Sequence, residues 1–110
     1  MQPFGADAVL SEKVLKTCVQ RASKGDAEAA YRLYAHYGIG VGDAKNAQKY
    51  FDQAVALEYP AALYAHAVHL WDEHSDPAMV LRYLKRALEL GNPDSSNLLL
   101  EVEAALKAKS

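Results

Sequence analysis

Two stretches of this sequence carry residue types at spacings that can do chemistry. The first is YGIGVGD, residues 37–43, with glycines at 38, 40 and 42 ahead of an acid and a helical run. Glycine-rich loops that open a helix cradle phosphate on free backbone N–H groups at the positive end of the helix dipole. A P-loop also needs Lys followed by Ser or Thr after its last glycine, to meet phosphate charge and metal. Here Gly42 is followed by Asp43 and Ala44, and an aspartate at the helix start repels phosphate. A dinucleotide fingerprint follows a strand, whereas AYRLYAHY reads as helix. The glycines therefore read as a tight turn between two helices, where positive φ is useful.

The second stretch is HAVHLWDEH, residues 66–74. On a helix His66 and His69 share a face, and Glu73 lies one turn beyond His69. With His36, these residues define a competing reading as a metal protein or enzyme, because imidazoles and a carboxylate are zinc ligands. The spacing is not the His-Glu-x-x-His of a zinc hydrolase, and no distant ligand beyond His36 is evident. No metal, cofactor or catalytic residue is assigned.

The composition sets the frame for both stretches. The chain has 110 residues, 51% hydrophobic and 24% charged, which is an ordinary balance for one globular domain. Alanine is abundant and β-branched residues are few, which favours helix. The net charge of −2 is scattered, without the basic stripe that nucleic-acid binding needs. No apolar run of about twenty residues is present, so no spanning helix is expected. MQPFGADAVL has neither a basic start nor a long apolar run, so it is no signal peptide. A cytoplasmic location is the default expectation, and a periplasmic one follows if a leader was removed. The single cysteine, Cys18, excludes an intramolecular disulfide.

An internal period organises the chain. Shifted by 33 positions, Ala29 falls on Ala62, Tyr31 on Tyr64, His36 on His69, Asp43 on Asp76, Tyr50 on Tyr83, Ala54 on Ala87 and Leu57 on Leu90. Gly25 falls on Glu58, and GDAE at 25–28 answers to GNPD at 91–94. Each unit holds two helical patterns, and Asp26, Asp43 and Asp76 are N-capping acids. A first helix runs from about 27 to 37 behind Asp26 and is stopped by Gly38. A second follows Asp43 to about 58, with Ala47, Tyr50, Phe51, Ala54 and Leu57 forming its apolar stripe. Pro60 opens the next helix, Asp76-Pro77 the one ending near Leu90, and Asn92-Pro93 the last.

The expected fold is all-α: an α-solenoid of about six antiparallel helices stacked as hairpins. A leading helix spans 8–24, repeats span 26–58 and 59–91, and a capping helix spans 92–108. The absent partner of the leading helix suggests a longer array, while the polar end after Leu106 suggests a natural C-terminus. One hairpin cannot bury its stripe alone, so stability comes from packing within and between neighbours. Cys18 falls in register with Phe51 and Leu84, which places it in the core. Trp71 falls at a core position at a hairpin end, with an exposed anchor as the alternative.

GDAEAAYRL followed by YGIGVGDAKNAQKYFDQAVAL resembles the Sel1-like repeat, a relative of the tetratricopeptide repeat. Tyr37, Gly38, Gly40, Val41, Asp43, Ala47, Tyr50, Phe51 and Ala54 match its pattern. The unit from Pro60 to Leu90 lacks the Gly-x-Gly-Val turn, and both units are shorter than is typical of the family. The resemblance covers roughly residues 14–104. It implies a non-enzymatic adaptor that binds another protein on a concave face, with no catalytic residues to carry over; a monomer is the separate expectation. It also admits a bacterial immunity or inhibitor protein that neutralises a toxin or effector.

If Tyr31 and Tyr64 point inward, the groove-facing positions are Arg32, His36 and Ile39 in one unit. In the next they are Ala65, His69, Asp72 and Glu73. Of these, Arg32, His36, His69, Asp72 and Glu73 are the expected partner contacts. A groove lined with histidines would bind in a pH-dependent way near about pH 6 to 7.

Overall fold

The structure is a computed structural model that describes residues 9–109. Among these residues helix is the only regular secondary structure, the architecture of an all-α helical-repeat protein. Six α-helices follow one another: α1 Glu12–Ser23, α2 Ala27–Ala35, α3 Ala44–Ala56, α4 Pro60–Asp72, α5 Pro77–Glu89 and α6 Ser95–Lys109. A π-helical turn, His36–Gly40, extends α2. Two compact units divide between Tyr59 and Pro60.

The helix starts are set by side-chain caps. Ser11 caps α1 through Val14 N–H, Asp26 caps α2 through Ala29 N–H, and Asp76 caps α5 through Ala78 N–H. Asp43 caps α3 twice: its Oδ1 accepts Asn46 N–H at 3.2 Å and its Oδ2 accepts Asn46 Nδ2 at 2.8 Å. These bonds hold the Asp43 carboxyl below the usual carboxylate range. Asn92 Oδ1 accepts both the N–H and the hydroxyl of Ser95, so the last helix begins three residues after Asn92. The leading helix starts at Glu12; the expected start at Ala8 lies outside the described residues.

The helix ends explain the period. Four helices close with one residue in the left-handed region: Gly25 (φ 91), Glu58 (φ 59), His74 (φ 58) and Gly91 (φ 99). At each, two N–H groups turn back onto the last helical carbonyls. Gly25 reaches Ala22 and Asp26 reaches Arg21; Glu58 reaches Val55 and Tyr59 reaches Ala54. His74 reaches Trp71 and Ser75 reaches Leu70; Gly91 reaches Leu88 and Asn92 reaches Ala87. This is the Schellman arrangement, which satisfies carbonyls that no further turn can reach. Gly25, Glu58 and Gly91 stand 33 residues apart, so the sequence repeat is a repeat of this stop signal.

In the first unit α1 packs on α2 and α2 on α3. The core is narrow because alanines line it: Ala22, Ala29, Ala30, Ala47 and Ala54 are buried, with Leu33, Tyr50 and Phe51 filling the space between. Gln53 Nε2 on α3 donates to the carbonyl of Ala22 at the end of α1 at 2.7 Å. Cys18 is 3% exposed, a core thiol as its register position requires. In the second unit α4 packs on α5 and α5 on α6. Its core is Ala67, Val80, Leu84 and Val102, with Trp71 partly buried against it.

The glycine string is not the stop the sequence suggests. The helix does not end at Gly38; it widens into the π turn, and Val41 N–H reaches back to His36 at 2.9 Å. Of the three glycines only Gly42 needs positive φ (73°). Gly38 and Gly40 are glycines for space. A Cβ on Gly38 would lie 3.2 Å from the Ala47 methyl, and one on Gly40 would lie 2.9 Å from Val9 Cγ2 and 3.3 Å from its backbone nitrogen.

Candidate functional site

The expected partner contacts fall in both units: Arg32 and His36 in the first, His69, Asp72 and Glu73 in the second. Their environments differ sharply. His36 is 6% exposed, which corrects its expected place on an open groove wall. Its Nδ1 accepts the backbone N–H of Leu10 at 3.0 Å, and its ring meets Tyr37 edge-on at 4.8 Å. His36 is the first residue of the π turn. The register counterpart His69 sits in unbroken α-helix and is exposed.

His69, Asp72 and Glu73 lie within one turn at the C-terminal end of α4, all exposed. Asp72 also lines a cavity of about 310 Å³ at the α4–α5 turn, together with Trp71, His74, Ser75 and Pro77. Trp71 thus contributes to the core and to this cavity wall. His66 is half-buried and meets Tyr83 edge-on at 4.8 Å. Among the described residues, no three His, Cys, Asp or Glu side chains come together to hold a metal.

Arg32 lines the larger concavity, a trough of about 440 Å³ between α1 and α2. Lys13 and Arg21 stand on its other wall, two turns apart on one face of α1. The partly exposed Val14 contributes apolar surface, the buried Cys18 and Ala29 lie at the floor, and Thr17 adds a hydroxyl. Two carboxylates also line the trough, Asp26 and Glu28. Asp26 is committed to capping α2 at Ala29 N–H, 3.1 Å away. Among the described residues, no ion pair engages Lys13, Arg21 or Arg32. The sequence carries a signal for this trough that composition averages away: Lys13, Lys16, Arg21 and Lys24 crowd one short segment of a chain whose net charge is −2.

A row of rings lies elsewhere in the same unit. Tyr31 stacks on Tyr59 at 4.8 Å and tilts against Tyr34 at 5.5 Å, and Tyr34 meets Phe51 at 5.0 Å. Burial first, and then the neighbouring Tyr34 and Tyr59 phenols, push the Tyr31 hydroxyl above its ordinary pKa. The row ties α2 to α3 and to the residue that closes α3.

The chain matches no model of a known protein family, no curated protein and no solved structure.

Proposed function

We propose that this chain is a protein-interaction module that binds a partner protein through side chains carried on its helical hairpins. The observation that carries the reading is the open trough beside Arg32. It combines guanidinium and ammonium groups that no ion pair engages among the described residues with apolar surface at Val14, on two capped helices of which α1 also closes in a Schellman stop. A preformed site of that kind loses little ordering entropy on binding. The resemblance of residues 25–57 to the Sel1-like repeat supports the same reading. Arg32 is the contact proposed in the first unit, and His69, Asp72 and Glu73 are those proposed in the second. An inhibitor that occludes a toxin's active site is this binding mode with one particular partner.

The test is affinity capture with the whole chain as bait, beside two surface variants, Arg21→Glu/Arg32→Glu and His69→Ala/Asp72→Ala/Glu73→Ala. The reading expects a partner that binds the wild type with a measurable Kd and loses affinity for at least one variant. A chain that captures nothing, or binds its partner equally in all three forms, contradicts it.

A further inference from the structure

The α1–α2 trough also indicates what kind of segment fills it. The three basic side chains that line it belong to two helices: Lys13 and Arg21 stand on α1, Arg32 on α2. All three are exposed. Their charges therefore act through water, and a trough of opposite-charge partners would be recognised from a distance and then held by contact. Guanidinium groups present flat, forked donors that match carboxylates. Val14 is a partly exposed apolar group in the lining, with the buried Cys18 and Ala29 behind it, and leaves room for an aliphatic side chain of the ligand. The volume of about 440 Å³ suits a few residues of chain rather than a folded surface.

Two carboxylates in the trough, Asp26 and Glu28, stand against the three cations. Asp26 is held at the start of α2 by its bond to Ala29 N–H, and Glu28 is exposed beside the basic set. The cavity at Trp71 and Asp72 carries no comparable basic set.

We infer that the α1–α2 trough is a docking site for an acidic segment of a partner protein. Aspartate or glutamate side chains meet Lys13, Arg21 and Arg32, and an aliphatic side chain lies over Val14. The inference rests on the interaction-module reading and names the partner's chemistry at one of its surfaces.

The experiment selects a displayed library of short random peptides on the full chain and measures the survivors by fluorescence anisotropy. The expected survivors are rich in Asp and Glu and carry at least one aliphatic residue. They bind Arg21→Glu/Arg32→Glu at least ~10-fold more weakly and bind Glu28→Gln more tightly. Their affinity falls as salt is raised. Thermal melting verifies folding of the charge-reversed chain, and Arg21→Gln/Arg32→Gln, a milder change, is expected to weaken binding in the same direction. Survivors that are neutral or basic, survivors indifferent to both double variants, or a selection that yields none, overturn the assignment. The two proposals fail differently. A native partner that binds wild type and Arg21→Glu/Arg32→Glu alike contradicts the acidic-segment site and leaves the module standing. A chain with no protein partner contradicts the module itself.

Discussion

The Nδ1 atom of His36 accepts the backbone N–H of Leu10 at 3.0 Å, across 26 residues of chain. The bond ties the start of the described chain, two residues before α1, to the π turn at the end of α2. It gives a donor outside any helix a partner inside the fold, and such donors are costly to leave unmet. His36→Ala is expected to destabilise the chain by roughly 1–3 kcal/mol in urea unfolding. His36→Gln, which keeps an acceptor, should recover part of that, and the Leu10 amide should lose hydrogen-exchange protection in the alanine variant. Equal stability of the wild type and His36→Ala would show that the bond holds nothing.

Gly40 in the π turn and Gly42 just after it serve two different physical needs, and alanine separates them. Gly40→Ala drives a methyl against Val9, including its backbone nitrogen, and should cost about 1–3 kcal/mol through overpacking. Gly42→Ala meets nothing within 4 Å, so its cost is that of left-handed backbone alone, about 1–2 kcal/mol. Truncating Val9 to alanine should relieve part of the first penalty and none of the second. A double-mutant cycle of Gly40 and Val9 without coupling contradicts the packing explanation.

The stop signals make a prediction of opposite signs. Gly91→Ala places a Cβ at φ 99 with open space around it, and should destabilise by about 1 kcal/mol. His74→Gly removes a side chain held at φ 58, and should stabilise by about the same amount. Denaturant midpoints of both variants decide the matter. If both shift in the same direction, the left-handed caps do not set these helix ends.

Tyr31 governs behaviour at high pH. Its folded pKa is raised by burial and by Tyr34 and Tyr59, above the ordinary value of about 10. The stabilisation this represents is fully present below the unfolded value and is lost as pH rises through the folded one. Stability should therefore fall with increasing pH above about 10, and Tyr31→Phe should flatten that slope. A slope unchanged in Tyr31→Phe would place the alkaline transition elsewhere.

Asp43 governs the acid side. Its carboxyl is lowered first by the backbone N–H of Asn46 and then by the Asn46 side chain. Such a group stabilises the fold above its unfolded pKa and ceases to do so as pH falls through the folded one. Asp43→Ala should thus be less stable than the wild type at neutral pH, with the difference closing in acid. A difference that persists undiminished in acid would mean that the carboxylate is not its source.

These outcomes mark where the sequence could be read and where it could not. Caps and stops are local. Asp26, Asp43 and Asp76 stand where the helices begin, and the 33-residue period places Cys18, Phe51 and Leu84 together in the cores. The π turn is not local. The Ala47 methyl lies close to Gly38 and Val9 close to Gly40, and neither contact has a sequence signature. His36 opens that turn and is buried, so the period equates two histidines that the fold treats differently. The trough between α1 and α2 was hidden for another reason. Its cations are separated by up to nineteen residues, and only helix packing brings Arg32 to the wall opposite Lys13.

The most direct test of the interaction-module account is hydrogen exchange of the full chain, free and saturated with the partner recovered by affinity capture. The account predicts slowed exchange confined to surface-facing turns of α1 and α2, or of the C-terminal end of α4, with the cores unchanged. Exchange that is identical in the free and saturated chain at every helix would contradict it.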